Sequence, residues 1–239
     1  MTNPTKHNKM NNYRGIITFG VIAVLIIVGY GCNFHKDFFI PSYIESYYFY
    51  DGIAVKRALA STSTKHLHLQ SNWTSRVWYQ SEGEEKDMYD KICRINGDTA
   101  YNRTERRPDG VKGPYNGADF PHYATINVIS NKDFDTDHPA GVSLNDVMSI
   151  RYTSAKRYIE SGYTQENMKQ EEISQPLDRL SPKELQYSIG NTFLVFDKEP
   201  DSLDIHTLTI TVTNAAKESY TVQYKYDFSL PEGHIREVQ

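Results

Sequence analysis

Two hydrophobic patterns divide this chain of 239 residues. Residues 16–30 form an unbroken apolar run of about fifteen, with no polar stripe at helical spacing. After it, apolar and polar residues alternate in short segments, the period of half-buried strands. Tyr47-Tyr-Phe-Tyr50, Asp51-Gly52 and the apolar residues from Ile53 predict strand, turn and strand. Residues 64–70 put Leu67 and Leu69 on one face and His66 and His68 on the other, and residues 73–80 alternate in the same way. Residues 81–87 read as a polar break, after which residues 88–95 and the dipeptide Asn96-Gly97 predict a hairpin. Further strands are expected at 122–130 and 192–197, and at Leu208, Ile210 and Val212. The last runs through Tyr220, Val222, Tyr224 and Tyr226, joined to its predecessor by a turn at 214–218.

Helical signals are fewer. Ser143-Leu-Asn-Asp146 has the form of a capping box and predicts a short helix to Ile150. Ser181-Pro-Lys-Glu184 combines an N-cap, a proline at the first helical position and a glutamate three residues after the cap, predicting about two turns. Residues 102–119 carry Pro108, Gly110, Gly113, Pro114 and Gly117 and read as a long loop, as do 131–141; residues 161–175 read as a loop or a solvated helix. Many short strands, with too few helices to cover a parallel sheet, predict a mostly β chain. The expected form is an antiparallel β-sandwich, immunoglobulin-like, with two or three short helices and long loops. The 18 tyrosines and ten phenylalanines strengthen that expectation, because aromatic side chains suit half-buried pleated surfaces.

The apolar run decides the expected location. Lys6, His7, Lys9 and Arg14 precede it, and it ends at Gly29-Tyr30-Gly31-Cys32, where a small residue stands before a thiol that can accept a lipid. This resembles a bacterial lipoprotein signal, with Gly29 in place of the usual large aliphatic residue and Tyr30 in place of the small one. The expected divisions are a signal peptide at 1–31, a lipidated Cys32 and short tether at 32–41, and one β-sandwich domain at 42–239. An uncleaved signal-anchor would give the same topology, since the cationic start stays cytoplasmic in both. Residues 34, 38, 39 and 40 are apolar, so the tether is expected to dock on the domain or the bilayer surface. Cleavage before Cys32 leaves 208 residues, and loss of Lys6, Lys9 and Arg14 moves the formal charge from −4 to −7. A net-negative body is a poor partner for nucleic acid.

Candidate chemistry is sparse. With Cys32 committed to lipid, Cys93 has no partner and is expected as a buried, inert thiol. Asp133, Asp135 and Asp137 alternate as in calcium loops, yet His138 and Leu144 stand where an EF-hand needs glycine and glutamate, which favours a solvated acidic turn. His66 and His68 share a strand face without a third zinc ligand in reach. Trp73 and Trp78 fall on opposite faces of a regular strand; an exposed one among the tyrosines would be a stacking platform for sugar rings or a partner protein. Arg103, Arg106, Arg107 and Lys112 make one loop basic, the usual reading being a solvated charge run. The serine-hydrolase, zinc-protease and phosphate-loop motifs are missing, which leaves only acid pairs assembled in space as a route to catalysis.

Three stretches, Ser130-Asn-Lys-Asp-Phe-Asp-Thr-Asp-His-Pro-Ala-Gly-Val-Ser-Leu-Asn-Asp146, Tyr158-Ile-Glu-Ser-Gly-Tyr163 and Ile205-His-Thr-Leu-Thr-Ile-Thr-Val212, resemble a family of uncharacterised Bacteroides lipoproteins of about this size. The resemblance implies an exported, lipid-anchored protein and carries over no functional residue. The expected role is a binding or scaffolding module of the cell envelope, for glycan or another envelope protein. An exported hydrolase and a purely structural component are the alternatives. Asn33-Phe-His-Lys-Asp37 lacks the acidic cluster that resembles a surface-export signal, which tilts the expected anchor toward the periplasmic side of the outer membrane.

Overall fold

The computed structural model describes residues 36–57, 66–107, 117–168 and 170–230, so the expected signal peptide and Cys32 lie outside the described residues. The described residues form two compact units, the described parts of 1–39 with 104–111 and those of 40–103 with 112–239. In the first, β1 (Lys36–Ile40) and β4 (Arg103–Arg107) pair as a two-stranded ribbon. The expected tether is therefore a strand from Lys36 onward, and part of the loop expected at 102–119 is strand as well.

The second unit holds the two larger sheets. One contains β5 (Gly117–Asp119), β2 (Ser46–Arg57), β3 (His66–Trp78), β9 (Ser188–Phe196), β7 (Met148–Ser154) and β8 (Glu171–Pro176), in that order. Its pairings are antiparallel apart from β2 with β5. The other sheet is β11 (Ser219–Asp227), β10 (Ile205–Asn214) and β6 (Tyr123–Ser130), all antiparallel. Mostly β architecture with antiparallel sheets and few helices is what the alternation predicts. Leu67, Leu69, Ile150, Tyr152, Leu194 and Phe196 of the six-stranded sheet share one core with Ile126, Val128, Leu208, Ile210, Val212 and Tyr226 of the three-stranded sheet. The odd-numbered members of 66–70 enter that core and the even-numbered ones face away, because the side-chain period of a strand is two.

Several local expectations give way. Residues 83–96 are not a strand but α1 (Gly83–Asn96), whose buried residues Tyr89, Ile92, Cys93 and Asn96 follow the i, i+3, i+4, i+7 spacing of one helix face. Asn96-Gly97 is the end of this helix. Gly97 has φ +83°, and its N–H and that of Asp98 bond back to the carbonyls of Arg94 and Cys93. The same left-handed preference that makes Asn-Gly a hairpin turn makes glycine a helix terminator. Asp51-Gly52 is no turn either: β2 runs through it, absorbing the irregularity as register shifts at Phe49/Tyr50 and Tyr50/Ile53. The capping box at Ser143 opens only a 3-10 turn, Asn145–Val147, and Met148 starts β7, since Met148, Ile150 and Tyr152 alternate into the core. At Ser181 the expected helix is a single 3-10 turn, Glu184–Tyr187. The polar stretch 161–175 includes the start of β8, and α2 (Lys156–Glu160) precedes it.

A second buried cluster packs around α1. Tyr47 and Tyr89 lie 5.4 Å apart, and Tyr43, Tyr158 and Tyr163 meet edge to face. Among them Asp98 is 1% exposed and accepts hydrogen bonds from the Tyr163 hydroxyl at 2.8 Å and the Ser42 hydroxyl at 3.3 Å. Burial pushes the Asp98 carboxyl up to about 6, with those two donors opposing the rise. Cys93 is buried on the same helix face, where desolvation raises its thiol to about 11 and leaves it without nucleophilic thiolate. This is the inert role expected of it.

Candidate functional site

A groove of about 590 Å³ opens on the six-stranded sheet around the junction of β2, β3 and β5. The pairing irregularities of β2 and β3 re-aim Trp73, which stacks on Tyr48 with ring centroids 4.2 Å apart and planes 16° from parallel. Tyr48 in turn lies against Gly117, where an added Cβ would come within 1.9 Å of the Tyr48 ring. Backbone, tyrosine and tryptophan thus form three layers, and Trp73 remains 60% exposed. Its indole N–H donates to Asp119 Oδ1 at 2.8 Å, so the ring is held in one orientation although it faces solvent.

Asp119 is anchored from a second side by the Ser71 hydroxyl, which is also bonded to the Tyr123 hydroxyl. Burial raises the Asp119 carboxyl above its ordinary range, against the lowering effect of Ser71 and Trp73. With both oxygens engaged, this carboxylate holds the platform in place. Gln70, Asn72 and Asn191 add amide groups to the lining, and Lys56, His68, His122 and Glu45 add ionisable ones. Amides and ionisable groups beside a fixed aromatic face can hydrogen-bond the hydroxyls of a ring stacked on that face.

The groove continues across the sheet. A second hollow of about 530 Å³, lined by His66, Arg151, Phe193, Glu172 and Gln170 among others, shares Gly190 and Asn191 with the first. The shared pair lies where the β7–β9 register shifts, between the Tyr152–Thr192 and Thr153–Ile189 pairs, and Gly190 has φ +75°. This bulge puts Asn191 on the border of both hollows.

The two candidate tryptophans therefore separate. Trp73 lines the groove. Trp78, 37% exposed, is five residues further along β3, about 16 Å at strand rise, and carries the Arg76 guanidinium 4.1 Å above its ring. His66 and His68 share the outer face as expected; desolvation lowers both below the ordinary imidazole value, helped by Arg151 and Lys56 respectively. Tyr48, Asp119 and Gly117 were not singled out from sequence. Their relevance depends on a parallel strand pairing, Ser46 with Gly117 through Tyr48 with Asp119, across 71 residues.

The acidic turn has other work. Asp133 accepts the Ala140 N–H at 2.8 Å, and Asp135 accepts the N–H groups of Asp137 and His138, both at 2.9 Å. Asp135 also meets the His138 ring at 2.6 Å and Lys198, while His138 Nε2 reaches Asp146 at 2.9 Å. Burial would lower the His138 pKa, but the two carboxylates raise it overall, so imidazolium and ammonium supply the positive charge this turn attracts. Among the described residues, no group of three or more His, Cys, Asp or Glu side chains is placed to hold a metal ion, and no helix is long and apolar enough to cross a membrane. No family model, no curated protein sequence and no solved structure matches this chain.

Proposed function

We propose that this chain is an envelope lipoprotein that binds carbohydrate, with the Tyr48–Trp73 stack as its sugar platform. The observation that carries the reading is an exposed indole held by a half-buried carboxylate, backed by a second ring and bordered by amides in an open groove. A tryptophan fixed this way has little conformational freedom to lose on binding, so its exposed area converts into affinity. The protein is placed outside the cytoplasm, held to the outer membrane by acyl chains on Cys32 with the periplasmic side favoured. No nucleic acid and no cofactor is invoked.

Affinity electrophoresis of the full chain in gels containing plant and bacterial polysaccharides tests the binding. Trp73→Ala is expected to weaken retention about tenfold or more, the effect of removing a central aromatic anchor, with a thermal midpoint within about 2 °C of wild type because the ring is exposed. Gly117→Ala, which displaces Tyr48, should reduce retention in the same gels. Retention that is absent, or indifferent to both changes, overturns the proposal. Release of reducing sugar from a retained polymer would instead favour the hydrolase reading, with an acid pair assembled in space.

The anchor has its own test. Labelling of the cells with palmitate should mark the wild-type chain and leave Cys32→Ala unmarked. Equal label on both, or a native chain whose mass still includes Met1, counts against lipidation there.

A further inference from the structure

Strand register aligns one row of side chains straight across the outer face of the six-stranded sheet. Lys56 pairs with His68, His68 with Phe193, Phe193 with Arg151, and Arg151 with Ser174. The order across β2, β3, β9, β7 and β8 is cation, imidazole, aromatic, cation, hydroxyl. At the spacing of neighbouring strands, the backbones of Lys56 and Arg151 are about 14 Å apart. The row begins in the groove that holds Trp73 and continues into the second hollow, which Phe193 and Arg151 line.

Two features mark this row as built for negative charge. Among the described residues, neither Lys56 nor Arg151 is within ion-pair distance of a carboxylate, so both charges are open to a ligand on this face. Glu172 lines the second hollow and pairs across the sheet with Thr153, two residues from Arg151 on the same face, so it borders the row without belonging to it. Between the cations, Phe193 lies flat enough to His68, at 5.1 Å and 33°, to extend an apolar floor. The Arg151 guanidinium lies 3.5 Å from His66 Nε2 and keeps its remaining N–H groups for a ligand.

We infer that the ligand is an acidic polysaccharide, whose carboxylate or sulfate groups are received by Lys56 and Arg151 while a sugar ring covers Phe193. This rests on the carbohydrate reading of the Trp73 groove and deepens it. Two cations separated by an aromatic suit a polymer with spaced charges. The net charge of −4 opposes any polyanion at long range, so the local row must supply the attraction, and a nucleic acid is the competing polyanion that the test includes.

The test is affinity electrophoresis of the full chain in gels of polygalacturonate and chondroitin sulfate, compared with neutral galactan and xyloglucan, and with a single-stranded oligonucleotide in a mobility assay. Retention on an acidic gel is expected to exceed that on the neutral ones at least tenfold. Lys56→Gln and Arg151→Gln should each remove most of that excess, Phe193→Ala should weaken it, and Lys91→Gln, an equal charge change on α1, should leave it intact. Equal retention on acidic and neutral polymers overturns the inference, as does loss of retention with Lys91→Gln to the same degree, or tighter binding of the oligonucleotide. Neutral retention that depends on Trp73 with no acidic preference would leave the proposed function standing and remove only this deepening. Acidic retention that depends on Arg151 but not on Trp73 would do the reverse.

Discussion

Phe134→Ala is expected to be the most damaging single change, lowering the unfolding free energy by about 3–5 kcal/mol, the cost of emptying a fully buried aromatic site. Phe134 belongs to the irregular stretch 131–141, yet it is completely buried and packs against Phe196 at 5.9 Å, Phe228 at 5.9 Å and His206 at 6.3 Å. Its backbone is pinned too: the N–H donates to the His138 carbonyl and the carbonyl accepts from Asp201, both at 2.8 Å. The surrounding rings therefore have little freedom to collapse into the space. Denaturant unfolding of the full chain measures the loss. Phe134→Leu, which keeps most of the volume, should cost less than half as much, and a loss below about 1 kcal/mol for the alanine variant would mean that this loop does not brace the core.

Asp98→Asn should act in the opposite direction, and only at neutral and alkaline pH. Folding moves this carboxyl from 3.8 to about 6, so the folded state holds the proton more tightly than the unfolded chain. Stability from this group is fullest below about pH 4 and declines as pH rises through 6, by about 3 kcal/mol in all at 1.4 kcal/mol per unit. An asparagine cannot ionise, still accepts from Tyr163, and can donate to Ser42 Oγ, whose own proton has the Ile44 carbonyl within 3.4 Å. Thermal melts of both chains should coincide near pH 4 and separate by several degrees near pH 8, with the variant higher. A variant that melts below wild type at pH 8 would show that the ionised carboxylate stabilises this cluster. The other titrating groups are common to both chains, so the difference between the two curves isolates Asp98.

Where the sequence was read correctly, the signal was local. The alternation of Leu67 and Leu69 with His66 and His68, of Leu208, Ile210 and Val212 with threonines, and of Tyr220 to Tyr226 reappears as strands with the expected faces. α1 does not announce itself although its burial spacing is regular, because Met88, Ile92 and Ile95 are compatible with more than one period over so short a window. The acidic first turn, Glu84 and Glu85, and the terminal Gly97 were the better guides. The capping boxes at Ser143 and Ser181 failed for a different reason. Each does open a turn, but Met148, Ile150 and Tyr152, and then Ile189, are drawn into the sheet, and burial of that apolar area outweighs the few tenths of a kcal/mol that helix propensity offers.

Of the candidate site, Trp73 is legible as one exposed aromatic among many, and His66 and His68 as a pair on the wet face of one strand. The Trp73 partners Tyr48, Gly117 and Asp119, and the row from Lys56 to Ser174, are remote in sequence and meet only through strand pairing. The chain by itself determined what short-range chemistry can encode: an apolar run before Cys32, the period-two segments that must become strands, and a thiol destined for burial. Tertiary structure decided which strands are neighbours and in what register. A strand's own residues say which of its faces is wet, but the residues beside it on that face are chosen by hydrogen-bonded pairing with distant segments, and there the groove is made.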